Sequence, residues 1–154
     1  MRNFNQAVFA TFTLLATMLV VAQQPASHSV TVAIPAILKL RLDASPSGVQ
    51  AQVPVTIEVY QGVYAITPAA STLHVLANSG WQLSASYEPF DTQYRVALLW
   101  RVMGEWRALQ PYPTRVMTGQ ASGGWQRLEV HYGLADLPPD GRYQGVVTYT
   151  LSRP

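Results

Sequence analysis

Along most of the chain hydrophobic and polar residues alternate with a period of two. From Val30 to Leu42 the even positions are Val30, Val32, Ile34, Ala36, Leu38, Leu40 and Leu42, set against Thr31, Pro35, Lys39 and Arg41. Val53, Val55, Ile57 and Val59 repeat the pattern, as do Trp81, Leu83, Ala85 and Tyr87. Val96, Leu98, Trp100 and Val102 follow, then Leu128, Val130 and Tyr132. Tyr143, Gly145, Val147, Tyr149 and Leu151 close the series. Successive side chains of a β-strand point to opposite faces, so each segment predicts a strand with one dry and one wet side. No segment carries a sustained 3.6-residue stripe with caps, and the chain is expected to be all-β.

Gly and Pro clusters separate these segments: Ser45-Pro46-Ser47-Gly48, Asn78-Ser79-Gly80, Ser122-Gly123-Gly124 and Pro138-Pro139-Asp140-Gly141. Such residues reverse the chain at low steric cost. Met103-Gly104-Glu105 joins two Trp-containing runs into an expected hairpin ending near Leu109, and Gln110–Gln120 reads as a long loop. About seven to nine strands at this spacing predict a two-sheet antiparallel β-sandwich, immunoglobulin-like or pilin-like. It is expected to occupy residues 30–154 as one domain, behind a short lead over 23–29.

The first residues predict an address. Met1–Gln6 is basic through Arg2, and Ala7–Ala22 is uncharged and ends in Val20-Val21-Ala22. A basic start, an apolar stretch and a small-residue end describe a secretory signal over residues 1–22. The stretch is short against the roughly 18–20 residues of a membrane span. The protein is therefore expected to be secreted or at the cell surface, extracellular or periplasmic, with no membrane attachment after cleavage.

Composition narrows the chemistry. The 154 residues contain no cysteine, which removes disulfide scaffolds, thiol catalysis and Cys-ligated zinc. A formal charge of +2 is too small to make nucleic acid the expected partner. Asp136 and Asp140 flank a Pro-Pro turn and are explained by turn chemistry; Glu129 and His131 share a strand face but have no third ligand at a recognisable spacing. No Gly-x-Ser-x-Gly elbow or phosphate loop occurs. No catalytic residue, metal or cofactor is expected. Nine Arg stand against one Lys, and Arg95, Arg101, Arg107, Arg115 and Arg127 lie among Trp100, Trp106 and Trp125. That mixture suits anionic glycans or single strands through stacking and cation–π contact, whereas interspersed acids favour plain solvated strand faces.

Two segments carry a family resemblance. Asn78-Ser79-Gly80-Trp81-Gln82-Leu83 places a Trp-x-Leu after a turn, and Gly141–Leu151 ends in Tyr149-Thr150-Leu151, with Tyr where the second Trp-x-Leu would stand. The chain resembles WxL surface domains here, and its ending and its opening Ser29–Pro35 are similar to spore-coat-U-like, pilin-like subunits. The first resemblance implies attachment to cell-wall glycan, with Trp81, Trp106, Trp125 and Tyr149 as candidate sugar-stacking residues. The phase of Trp81 and Tyr149 with Leu83 and Leu151 favours core positions instead. The second implies assembly with other copies or other surface proteins through Val30, Val32, Ile34, Leu38, Leu40 and Leu42. A first strand packed within its own sandwich is the favoured alternative. The expected function is a non-enzymatic structural or adhesive component of a cell surface or extracellular filament, or else a wall- or glycan-binding module.

Overall fold

The computed structural model describes residues 34–43, 45–90 and 96–154. The chain divides into two compact units, Met1–Ile34 and Pro35–Pro154, and all the described strands belong to the second. The expected signal, the lead segment, Val30 and Val32 lie outside the described residues.

The strands are β1 (Leu38–Leu42), β2 (Gln50–Tyr60), β3 (Val63–Thr67), β4 (Ala70–Ala77), β5 (Trp81–Pro89), β6 (Leu98–Arg101), β7 (Arg107–Ala108), β8 (Thr114–Gly119), β9 (Gln126–Leu134) and β10 (Gly141–Ser152). They form two antiparallel five-stranded sheets. Sheet A has the order β1-β4-β9-β6-β7 and sheet B the order β3-β2-β10-β5-β8. The fold is an all-β two-sheet sandwich. β10, last in sequence, is central in sheet B, bonded to β2 on one side and β5 on the other.

The period-two positions are the core. Val53, Val55, Ile57 and Val59 of β2, Trp81, Leu83, Ala85 and Tyr87 of β5, and Tyr143, Val147, Tyr149 and Leu151 of β10 are all buried. Sheet A meets them with Leu40, Leu73, Val75, Leu98, Trp100, Leu128, Val130 and Tyr132. Each fully buried aliphatic or aromatic side chain contributes roughly 1.5–3 kcal/mol through removal from water. Two of the buried phenols are paired, while the Tyr87 hydroxyl is buried without a hydrogen-bond partner among the described residues. Trp100 Nε1 donates to Tyr149 Oη at 3.0 Å, and the Tyr132 and Tyr149 hydroxyls share a hydrogen bond of 2.9 Å. Tyr132 and Tyr149 thereby tie sheet A to sheet B. Burial raises the pKa of both phenols, Tyr149 the more strongly.

Three expectations change. The strand expected over Val30–Leu42 begins, among the described residues, only at Leu38. Leu38 pairs with Ala77, the last residue of β4, and beyond it the Asn78 N–H still donates to Ile37 O at 3.2 Å. The Asn78 side chain also holds the preceding chain: its Nδ2 donates to Pro35 O at 2.8 Å and its Oδ1 accepts the Ile37 N–H at 2.7 Å. Ile34 is exposed and outside any strand. Leu40 is fully buried, with Leu38 and Leu42 packed beside it, so these three cover the sandwich of their own chain. The second change is that Gln110–Gln120 contains β8, which pairs with β5 through a register shift at Leu83/Ser84. The third is an unforeseen hairpin, β2–β3. Gln61 and Gly62 both have positive φ, 49° and 79°, the conformation of a two-residue type I′ turn.

Candidate functional site

The four sequence-level sugar candidates fall into two classes. Trp81 is 1% exposed and Tyr149 fully buried. The Trp81 indole occupies the space that a Cβ at Gly119 would need, and its Nε1 donates to Gln120 O at 3.0 Å. Leu83 of the Trp-x-Leu segment pairs directly with Leu151 of the Tyr-x-Leu segment, so both segments pack side by side in sheet B. Neither aromatic presents a face to solvent. Trp106 and Trp125 do, at 40% and 38% exposure.

Both exposed indoles lie beside the outer face of sheet A. Inward turning of Leu40, Leu73, Leu128 and Trp100 sends Lys39, Arg41, His74, Arg127, Glu129, His131 and Arg101 outward. Register then gathers them into rows. Arg41 lies opposite His74 and His74 opposite Arg127 across β1, β4 and β9, while Arg101 lies opposite His131 across β6 and β9. The sequence separates Arg41 from Arg127 by most of the domain, and only the strand order brings them together.

Trp106 sits over Gly133 of β9, where an added Cβ would stand 3.3 Å from its ring. The Arg101 guanidinium stacks on it, 4.4 Å from the ring centroid. Trp125, which precedes β9, is covered in the same way by Arg41, at 4.5 Å. An exposed cation–π pair is worth roughly 0.5–1 kcal/mol. Its further effect is to hold a long side chain flat beside an aromatic plane.

Electrostatically the face is basic. Lys39, Arg41, Arg101 and Arg127 oppose one strand acid, Glu129, which contacts Arg127 and His131 at 3.7 Å each. Among the described residues neither Arg41 nor Arg101 has an acidic partner, and Arg41 Nε is buried with no hydrogen-bond acceptor. Among the described residues the stacked guanidinium groups thus meet no carboxylate. The aromatic–arginine mixture was visible in the sequence; the stacking of Arg41 on Trp125 and the Gly133 seat for Trp106 were not.

The other sequence candidates have structural places. Asp140 accepts the Gln61 N–H at 3.0 Å, linking the β9–β10 turn to the β2–β3 turn. Among the described residues no three His, Asp or Glu side chains converge as metal ligands would. Comparison of the chain with family models, with curated proteins and with solved structures found no match.

Proposed function

We propose that this protein is an exported, non-enzymatic adhesive module that binds acidic polysaccharide of a cell surface through the outer face of sheet A. The observation that carries the reading is the pair of exposed tryptophans on that face, each stacked under an arginine with no acidic partner among the described residues. An indole offers a broad apolar surface to a sugar ring, and a guanidinium offers paired N–H donors to a carboxylate or sulfate. Set about one face, the two pairs would engage a chain of charged sugars rather than a single small molecule. The exported address rests on Met1–Ala22, and the likeness of the chain to WxL domains agrees with a wall setting.

The test is co-sedimentation with an acidic polysaccharide gel, such as polygalacturonate, beside a neutral one, such as cellulose. The protein is expected on the acidic gel alone, with binding that falls as salt rises, because small ions screen and replace the contacts. The double variant Arg41→Glu, Arg101→Glu is expected to lose about a hundredfold in affinity, through two lost charge-assisted contacts and two new repulsions. Equal retention on cellulose, or an unaffected double variant, would remove the reading. Preference for a single-stranded oligonucleotide over the gel would replace it with a nucleic-acid one.

A further inference from the structure

A second feature lies at the side edge of the sandwich, where β7 ends sheet A and β8 ends sheet B. β7 is two residues long, so it covers little of the space between the sheets. The result is an open cleft of about 520 Å³, within the roughly 300–1,000 Å³ range of small-molecule sites. Trp100, Val102, Val116 and Met117 give it apolar walls. Arg107, Arg115 and one acid, Glu105, complete the charged part of the lining.

The two arginines differ in what they already do. Arg107 Nη1 reaches Val116 O at a long 3.4 Å, from one edge strand to the other. Arg115 makes no ion pair among the described residues. Apolar walls beside a guanidinium with a free fork match a ligand with a hydrocarbon body and one anionic head. A carboxylate accepts two parallel N–H bonds from such a fork, and the hydrocarbon gains by leaving water.

We propose that this cleft is a binding site for a carboxylate-headed amphiphile, with the chain against Trp100, Val116 and Met117 and the head on Arg115 and Arg107. The cleft is lined by Glu105 and Arg107 on either side of Trp106, whereas the Trp106 ring itself seats on Gly133, and the proposal does not depend on the polysaccharide reading. An aliphatic fatty acid is the simplest ligand of this kind.

Titration calorimetry of the purified protein with decanoate, below its micelle concentration, tests the proposal. One saturable site is expected, and decanol should bind about tenfold more weakly because it cannot make the charge-assisted pair. Arg115→Ala, a change at an exposed position, should weaken decanoate about tenfold while leaving decanol unchanged. Met103→Glu, at an exposed position lining the cleft, should repel the carboxylate and weaken decanoate severalfold while leaving decanol nearly unchanged. Arg41→Ala, on the outer face of sheet A, should alter neither. The proposal is overturned by the absence of saturable decanoate binding, by equal affinity for decanol, or by decanoate binding that is unaffected by Met103→Glu. Decanoate loss in Arg41→Ala with none in Arg115→Ala would place the site on the basic face and also overturn it.

Discussion

The two outer faces of this sandwich follow the same alternation and carry different chemistry. Across β2, β10 and β5 sheet B shows solvent Gln50, Gln52, Thr56, Gln144, Thr148, Thr150, Gln82, Ser84 and Ser86, mostly neutral polar groups, with Tyr60 and Val63 exposed at its β2–β3 end and Arg115 opposite Ser84 on β8. These groups satisfy one another in part: Gln82 Nε2 donates to Ser152 Oγ at 3.0 Å and Gln50 Nε2 to Thr150 Oγ1 at 3.5 Å. Its one close charge pair, Arg142 with Glu58 at 3.7 Å, is exposed and nearly self-cancelling. Sheet A carries fixed cations and flat indoles, with one acid to oppose them. Alternation therefore specifies that a face is wet without specifying what it meets. The two faces differ in their balance of cations and in the stacking of indoles under guanidinium groups.

The sharpest way to break this contrast is to treat tryptophans of the two sheets alike. Trp81→Ala empties a buried site under Gly119 and should destabilise the fold by about 3–5 kcal/mol in urea unfolding. Trp106→Ala removes an exposed ring and should leave the midpoint nearly unchanged, yet weaken retention on acidic gel by about tenfold. If both variants melt early, Trp106 is a structural residue and the contrast fails.

A smaller effect concerns the hydrogen bonds that join the sheets behind the two faces. Tyr149→Phe removes a hydroxyl that serves both Trp100 and Tyr132 and should cost about 1–3 kcal/mol at neutral pH. The sign of the alkaline response follows from burial. The phenol is raised well above its usual 10.0 in the folded protein, so the unfolded chain releases this proton first as pH rises. The associated stability is whole below pH 10 and is lost as pH climbs from there towards the folded-state value. Urea unfolding at pH 8 and pH 11 should show wild type losing more stability than Tyr149→Phe. Equal losses would mean that this phenol is not the group linking folding to pH.

The smallest expected change is Gly133→Ala. An added methyl at 3.3 Å requires the Trp106 ring to give by a few tenths of an ångström, and the ring has solvent on one side to move into. Stability should change by less than about 1 kcal/mol, while gel affinity falls as the indole and Arg101 lose their seat. Unchanged affinity would show that the ring's exact height over β9 is unimportant to binding.

Much of the fold was legible in residue order because a period of two is a local property. Trp81, Leu83, Ala85 and Tyr87 turn inward as their spacing requires, and so do Leu128, Val130 and Tyr132. β4 is hard to read from residue order because its inward positions include Ser71 and Ala77, a polar and a small residue in an otherwise apolar row. Ser71 lies near the Tyr132 hydroxyl, a polar group far along the chain. β8 was hidden by the prolines around it and by the register shift opposite β5.

Residue order by itself thus determined strand character, the inward face of most strands and the core phase of Trp81 and Tyr149. Only tertiary structure decided that Arg41, Arg101, Trp106 and Trp125 lie about one basic face, and that the β7–β8 edge opens into a cleft. The physical reason is range. Alternation is fixed by stereochemistry between adjacent residues, whereas strand order and register depend on which distant hydrophobic faces pack best, and no short segment contains that information.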